Sequence, residues 1–127
     1  MKQTMMLVLL ACLRVGTIHA QAPAAIQHMA LTGQPVGKYV EGLLDMDRAR
    51  LKLTPAQTIQ ARAVLTDYAT KYNQLSQGPA PSMAKLKAGL VQLDAERIRR
   101  YKGFLTAEQY AQLVSSYNQS HPKTPVK

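Results

Sequence analysis

A five-residue pattern, Leu-Thr-x-x-Gln, occurs twice in this chain and constrains where two of its helices begin. The copies are Leu53-Thr54-Pro55-Ala56-Gln57 and Leu105-Thr106-Ala107-Glu108-Gln109. In each copy the threonine suits the N-cap position, because its hydroxyl can accept a hydrogen bond from the first helical turn. The glutamine three residues later can return a bond to the backbone of the threonine. The pattern therefore predicts two capping boxes, each opening a helix.

Composition describes one small, basic domain. The chain has 127 residues, of which 46% are apolar, with one Phe and no Trp, so we expect an aliphatic core with tyrosine at its edges. The net charge of +9 favours acidic surfaces such as unfolded acidic proteins, anionic lipid or nucleic acid, without choosing among them. The single cysteine, Cys12, excludes an intramolecular disulfide and any multi-cysteine metal site.

Residues 1–20 have the pattern of an export signal. Lys2 precedes an apolar run over residues 5–13, and Ala20 ends an acceptable cleavage site. In the alternative interpretation, Leu9-Leu10-Ala11-Cys12 is a lipobox and Cys12 is lipidated. Either processed form lies outside the cytoplasm. Cleavage near Ala20 would leave 14 basic and 7 acidic residues, and we expect a periplasmic protein.

Apolar residues at spacings of three and four predict four helices, over residues 38–52, 55–77, 83–104 and 107–118, and no strand. The sequence thus predicts an all-α fold. A break at residues 77–81 followed by Ser82 as a cap predicts that the second and third helices form a long antiparallel hairpin. Residues 21–37 are predicted to be a mobile or loosely docked arm, and residues 119–127 a disordered tail. The predicted buried faces comprise Val40, Leu43, Leu44, Asp47 and Leu51; Ala61, Leu65, Tyr68, Tyr72 and Leu75; Met83, Leu86, Leu90, Leu93, Tyr101 and Phe104; and Leu113, Val114 and Tyr117.

Arg97 lies in the middle of the apolar face of the third predicted helix. Burying its charge unpaired would cost several kcal/mol, so it needs a partner, for which Asp67 and Asp94 are candidates, or the face is an open groove. Charge is densest around it, at Arg97, Arg99, Arg100 and Lys102. These side chains point in several directions around a helix, whereas a nucleic-acid-binding face would align them, so we expect no nucleic-acid partner.

No residue pattern indicates an enzyme. Glycines are dispersed and form no phosphate-binding loop, and no histidine neighbours a plausible carboxylate partner. His28 and His121 fall in the predicted arm and tail. His28-Met29 offers ligands for soft copper, but no metal-binding repeat accompanies it. We therefore expect a protein that is not an enzyme and has neither a cofactor nor a specific metal site.

The two Leu-Thr-x-x-Gln motifs, the hairpin and the stretch Arg97-Ile98-Arg99-Arg100 together resemble the periplasmic Spy/CpxP family over about residues 40–117. The resemblance implies a four-helix fold built on a long helical hairpin, with two protomers paired into a cradle. It further implies binding of partly unfolded envelope proteins without ATP. The alternative that the same family offers is a regulatory or metal-responsive accessory protein of envelope stress, binding a membrane sensor.

If a groove binds such clients, charged and aromatic residues of the hairpin are the expected contacts. The candidates are Arg97, Arg100 and Lys102 for charge, and Tyr68, Tyr72, Tyr101 and Phe104 for apolar contact. Core packing explains the same aromatics equally well. The motif residues Leu53, Thr54, Gln57, Leu105, Thr106 and Gln109 are interpreted as helix starts and not as a binding site.

Overall fold

A computed structural model describes residues 28–77 and 82–127, and this part of the chain forms four α-helices and no strand. These are α1 (Val36–Leu51), α2 (Pro55–Ser76), α3 (Met83–Lys102) and α4 (Ala107–Ser120). The all-α prediction is confirmed. The predicted signal segment with Cys12, the first part of the arm and the break at residues 78–81 lie outside the described residues.

Both capping boxes are present. The Oγ1 of Thr54 accepts a hydrogen bond from the Gln57 amide at 3.2 Å, and the Oε1 of Gln57 accepts one from the Thr54 amide at 3.0 Å. Thr106 and Gln109 repeat this geometry with the same two distances. Ser82 caps α3 by accepting from the Lys85 amide. Three helix starts are therefore encoded locally.

Helices α2 and α3 run antiparallel along each other. Asp67 pairs with Arg100 and Lys71 pairs with Glu96, so residue numbers rise along α2 as they fall along α3. The helices approach closely where α3 has a glycine, since a Cβ at Gly89 would lie 2.7 Å from the Cδ1 of Leu75.

The core is aliphatic apart from two tyrosines, Tyr101 and Tyr117. Tyr101 is fully buried, and its hydroxyl donates a 2.7 Å hydrogen bond to Asp47 of α1. This bond explains why an acid lies on the predicted apolar face of α1. The other fully buried large side chains are Val36, Val40, Leu44, Leu65, Ile98 and Leu113.

The N-terminal half of α3 is less buried than its pattern predicts. Met83, predicted to lie on the apolar face, is 67% exposed. Val91, farther along the N-terminal half of α3, is 36% exposed. The buried residues of α3, Leu93, Ile98 and Tyr101, all lie in its C-terminal half. Burial therefore follows the position of the neighbouring helices and not the periodicity alone.

Residues 28–35 contact the helices in the structure, where the sequence predicted a mobile or loosely docked arm. Met29 is 2% exposed and belongs to the core. A tight turn follows it, in which Gly33 has a φ of 69° and donates to the Met29 carbonyl. The buried side chain of Asn73 holds the segment, because its Oδ1 accepts from the Ala30 amide at 2.6 Å and its Nδ2 donates to the His28 carbonyl at 3.1 Å. Helix α1 accordingly begins at Val36, two residues before the predicted start.

His121, Val126 and Lys127 also contact the helices, within residues 119–127 that the sequence predicted to be a disordered tail. The His121 ring stacks on Tyr117 with 4.2 Å between centroids. Val126 packs against the core, and Asn118 of α4 binds its backbone. Helix α4 ends at Ser120, two residues beyond the predicted end.

Candidate functional site

The seven residues predicted to bind clients do not form one surface. Tyr101 is fully buried, and Phe104 packs beside it with 5.1 Å between ring centroids. Both side chains belong to the core or its edge. The core-packing alternative therefore accounts for the positions of Tyr101 and Phe104 in the structure.

Tyr68, Tyr72 and Arg97 do come together, at the seam between α2 and α3. The guanidinium carbon of Arg97 lies 5.5 Å from the centroid of the Tyr68 ring, a cation–π geometry. Tyr72 stands next to Tyr68 with 6.4 Å between centroids, and it also neighbours Tyr39 of α1. The seam therefore holds the arginine on an aromatic ring.

The predicted salt bridge of Arg97 is absent. Within the described residues, neither Asp67 nor Asp94 lies within salt-bridge distance of Arg97. Its Nε is buried without a hydrogen-bond partner among the described residues. The space beside it is about 10 Å³, roughly the room of one water molecule, so the seam is not an open groove either.

Asp67 instead takes part in an ion-pair network across the seam. It binds Arg100 at 2.8 Å and Lys71 at 3.2 Å, while Lys71 reaches Glu96 at 2.8 Å. Hydrogen bonds to Glu96 and then to Asp67 raise the pKa of the exposed Lys71 ammonium. Arg100 is therefore already partnered within the chain.

The tyrosines of the interior have raised pKa values. Burial is the main cause for Tyr68, and the negative charge of Asp94 raises its pKa further. Burial likewise raises the pKa of the Tyr101 phenol, followed by the charge of Asp47 and the hydrogen bond to it. Both side chains stay neutral at physiological pH, so they offer apolar rings and hydroxyl groups, not charge.

A continuous exposed surface follows α3 on the side away from the core. We call it the outer face of α3 and define it by six exposed side chains, Ala84, Ala88, Val91, Ala95, Arg99 and Lys102. Their spacings of 4, 3, 4, 4 and 3 keep them on one side of the helix. The face is thus a line of small apolar residues that ends in two cations.

The two cations of this face have no acidic partner. Within residues 28–77 and 82–127, neither Arg99 nor Lys102 forms a salt bridge. The ammonium of Lys102 lies 5.5 Å from the centroid of the Tyr110 ring. Of the seven residues predicted from the sequence, only Lys102 belongs to the outer face.

A groove of about 530 Å³ opens beside the charged end of this face. Helix α3 supplies one wall, and Tyr110 of α4 with Val126 and Lys127 supplies the other. The α3 wall consists of Gln92, Ala95, Glu96, Arg99 and Lys102. The groove is therefore lined by both apolar and basic side chains, and we call Arg99 and Lys102 its basic rim.

A second internal repeat was missed in the sequence. Tyr72-Asn73-Gln74 lies near the C-terminal end of α2, and Tyr117-Asn118-Gln119 lies near the C-terminal end of α4. In both copies the asparagine binds the backbone of an extended segment through its amide oxygen and amide nitrogen. The tripeptide by itself does not indicate which segment its asparagine binds, because the bound residues lie up to 45 positions away.

Neither a metal centre nor a membrane span is found among the described residues. No three His, Cys, Asp or Glu side chains converge in residues 28–77 and 82–127. None of the helices in those ranges combines the length and the apolar character required to cross a bilayer.

Comparison with known proteins gave no match to any family model, curated protein or solved structure.

Proposed function

We propose that this chain is an exported, ATP-independent, chaperone-like protein that binds partly unfolded envelope proteins. The observation that carries the proposal is the outer face of α3, where exposed alanines and Val91 lie beside Arg99 and Lys102, two cations that form no salt bridge within the described part of the chain. The resemblance to the Spy/CpxP family supports the same function.

Charge would supply the first contact with a client. The described residues contain 14 basic and 7 acidic side chains, so the protein attracts acidic chains over about one Debye length, 8–10 Å at physiological salt. Short apolar side chains such as Ala88 and Ala95 then contribute little area each. A client would therefore be held loosely, and it could fold or leave without an energy source.

The setting proposed for this activity is the periplasm. Cleavage near Ala20 would release residues 21–127, whereas lipidation of Cys12 would anchor the protein to a membrane. The proposed active form is a homodimer. The intact mass of the exported protein distinguishes the two processed forms, and its light-scattering mass tests the dimer.

The chaperone proposal is tested by light scattering from a chemically denatured acidic client diluted into buffer at low and at physiological salt. We expect the wild-type protein to suppress aggregation at stoichiometric ratio, more strongly at low salt. Arg99→Glu with Lys102→Glu should remove most of this effect. Lys38→Glu with Arg50→Glu is the matched control, because it changes net charge equally at exposed positions of α1.

Two results would count against the proposal. One is no suppression by the wild-type protein at either salt concentration. The other is equal loss of suppression in the two double variants, which would assign the effect to net charge and not to the outer face of α3.

A regulatory protein that binds one membrane sensor is the second candidate function. The spacing of Ala84, Ala88, Val91 and Ala95 matches a helix-packing seam, which suits a single partner helix. Affinity capture from an envelope extract separates the candidates. One dominant membrane protein favours the regulator, and many unrelated proteins favour the chaperone.

A further inference from the structure

Asn118 binds the backbone of Val126 through both ends of its side-chain amide. Its Oδ1 accepts a hydrogen bond from the Val126 amide at 2.8 Å, and its Nδ2 donates to the Val126 carbonyl at 2.9 Å. Both backbone groups of one residue are thereby satisfied as they would be by a neighbouring β-strand. Such a contact recognises the main chain of an extended segment and does not depend on which side chain the segment carries at that position.

The Val126 side chain meanwhile forms part of one wall of the groove between α3 and α4. Val126 is partly buried against the core, and it lines the groove together with Lys127. Tyr110 adds a long hydrogen bond from its hydroxyl to the Lys127 carbonyl at 3.4 Å. Val126 and Lys127 thus lie along this groove much as a short peptide ligand would, with one aliphatic side chain packed against the core and its backbone bound.

The charge of this segment does not suit the groove. Lys123 and Lys127 belong to the tail, while Arg99 and Lys102 form the rim of the groove. Lys127, Arg99 and Lys102 line the same groove, and like charges gathered at one site repel, which weakens the intramolecular contact. Glu96 also lines the groove, but it is already bound to Lys71. An acidic segment would therefore fit the rim better than the tail does.

Asn73 provides the contrast that makes displacement plausible. Its side chain is 8% exposed, and the segment that it binds carries Met29 into the core at 2% exposure. That contact is part of the folded structure. Asn118 and Val126 are only partly buried, so the tail can leave without opening the core.

From these contacts we propose that the groove between α3 and α4 is a binding site for an extended polypeptide segment with one aliphatic residue flanked by acidic residues. Val126 and Lys127 cover part of this site as a displaceable intramolecular ligand. A client segment competes with the tail, takes over the hydrogen bonds of Asn118 and adds ion pairs with Arg99 and Lys102. The kind of ligand named here rests on the proposed function, whereas the intramolecular competition does not.

The test measures binding of labelled peptides to the full chain by fluorescence anisotropy. One peptide keeps the Thr-Pro-Val order of residues 124–126 with acidic residues on both sides, and a second carries lysines at those flanks. Val126→Asp should expel the tail and increase affinity for the acidic peptide about tenfold, because the competing contact is lost. Val126→Ala, a milder change, should act in the same direction by a smaller factor.

Lys123→Asp is the matched control in the tail. It removes more positive charge than Val126→Asp does, but Lys123 is exposed and does not line the groove. A purely electrostatic effect would therefore be larger in the control. We expect affinity to change less than in Val126→Asp.

Asn118→Leu, made in the Val126→Asp chain, tests the backbone contact. It should abolish the gain in affinity, whereas Gln119→Leu at the adjacent exposed position should preserve it. Equal peptide affinity for wild type and Val126→Asp, no binding to either, equal binding of the acidic and basic peptides, or an Asn118→Leu variant that keeps the gain would each overturn the inference.

The outcomes also separate this inference from the proposed function. A protein that suppresses aggregation without tail competition overturns the inference alone. Tail competition without suppression of aggregation overturns the chaperone function alone.

Discussion

Gln57 and Gln109, the last residues of the two Leu-Thr-x-x-Gln motifs, bind each other across the fold. The Nε2 of Gln57 lies 2.8 Å from the Oε1 of Gln109, and the reciprocal distance is 3.1 Å. Gln57 also donates to the carbonyl of Phe104, just before the second motif. Gln109 likewise donates to the carbonyl of Leu51, shortly before the first motif. The two capping boxes are therefore joined, and they connect the α1–α2 corner to the α3–α4 corner.

A double-mutant cycle on this pair should give a measurable coupling energy. Gln57→Ala and Gln109→Ala each remove a cap bond and leave partly buried groups unpaired, so each should lower the free energy of unfolding by about 1–2 kcal/mol. We expect coupling of about 0.5–1.5 kcal/mol between them in urea denaturation. Gln60→Ala, at an exposed position of α2, should change stability little. Strictly additive losses would mean that the cross-fold amide pair contributes nothing.

Tyr101→Phe should destabilise the protein because it leaves Asp47, only 4% exposed, without its hydrogen bond. We expect a loss of about 1–3 kcal/mol at neutral pH. Tyr72→Phe is the control, since its hydroxyl makes no hydrogen bond among the described residues. Equal effects of the two changes in thermal or urea unfolding would contradict the importance of the buried bond.

Stability should fall at alkaline pH because of the same tyrosine. Burial and Asp47 hold the pKa of Tyr101 above its ordinary value of 10.0. Above that value the unfolded chain releases the phenol proton while the folded chain keeps it. The resulting stabilisation is complete below about pH 10 and is lost as pH rises, by up to about 1.4 kcal/mol per pH unit for each such group. The slope measured by urea denaturation should be shallower in Tyr101→Phe, and an unchanged slope would refute the assignment.

Alanine at two helical glycines should have unequal effects. Nothing lies within 4 Å of a Cβ built at Gly42, so Gly42→Ala should raise the free energy of unfolding by about 0.5–1 kcal/mol through helix propensity. At Gly89 the new Cβ would meet Leu75 at 2.7 Å, and that side chain must change its rotamer. We expect Gly89→Ala to gain at least about 0.5 kcal/mol less than Gly42→Ala. Equal gains would show that α2 and α3 are not in close contact there.

Coupling energies should identify the true partner of Arg97. A cycle of Arg97→Met with Tyr68→Leu should give about 0.5–1 kcal/mol, the value of a cation–π contact. A cycle of Arg97→Met with Asp67→Asn should give close to zero, because Asp67 binds Arg100 and Lys71. A larger coupling energy of Arg97 with Asp67 than with Tyr68 would instead support the salt bridge predicted from the sequence.

Sequence-local features were predictable because they depend on neighbours within one helical turn. The caps at Thr54, Thr106 and Ser82 are present, and the predicted helix limits differ from those of the structure by two residues or fewer. Contacts distant in sequence were not predictable. Asn73 and Ala30 are 43 positions apart, so no pattern within one helical turn predicts the contact between residues 28–35 and α2.

Which side chains of α3 remain exposed was not predictable for a related reason. The sequence-based prediction favoured large aromatic side chains. A small core tends to bury such large apolar side chains, and it does bury Tyr101. Alanine is common both in cores and on surfaces, so the sequence does not indicate whether Ala84, Ala88 and Ala95 are buried. They are exposed because of where α2 and α4 lie. Arg100 was correctly seen as charged, but its pairing with Asp67 depends on how the two helices align.

The sequence by itself determined the four helices, three of their caps and the basic charge, because each depends on side chains acting on their own backbone or on composition. Tertiary structure alone decided that the two capping glutamines meet, that Arg97 rests on Tyr68, and that residues 28–35 and 121–127 are bound. It also decided which side of α3 remains open. These outcomes depend on distances between helices, which no periodicity within a single helix specifies.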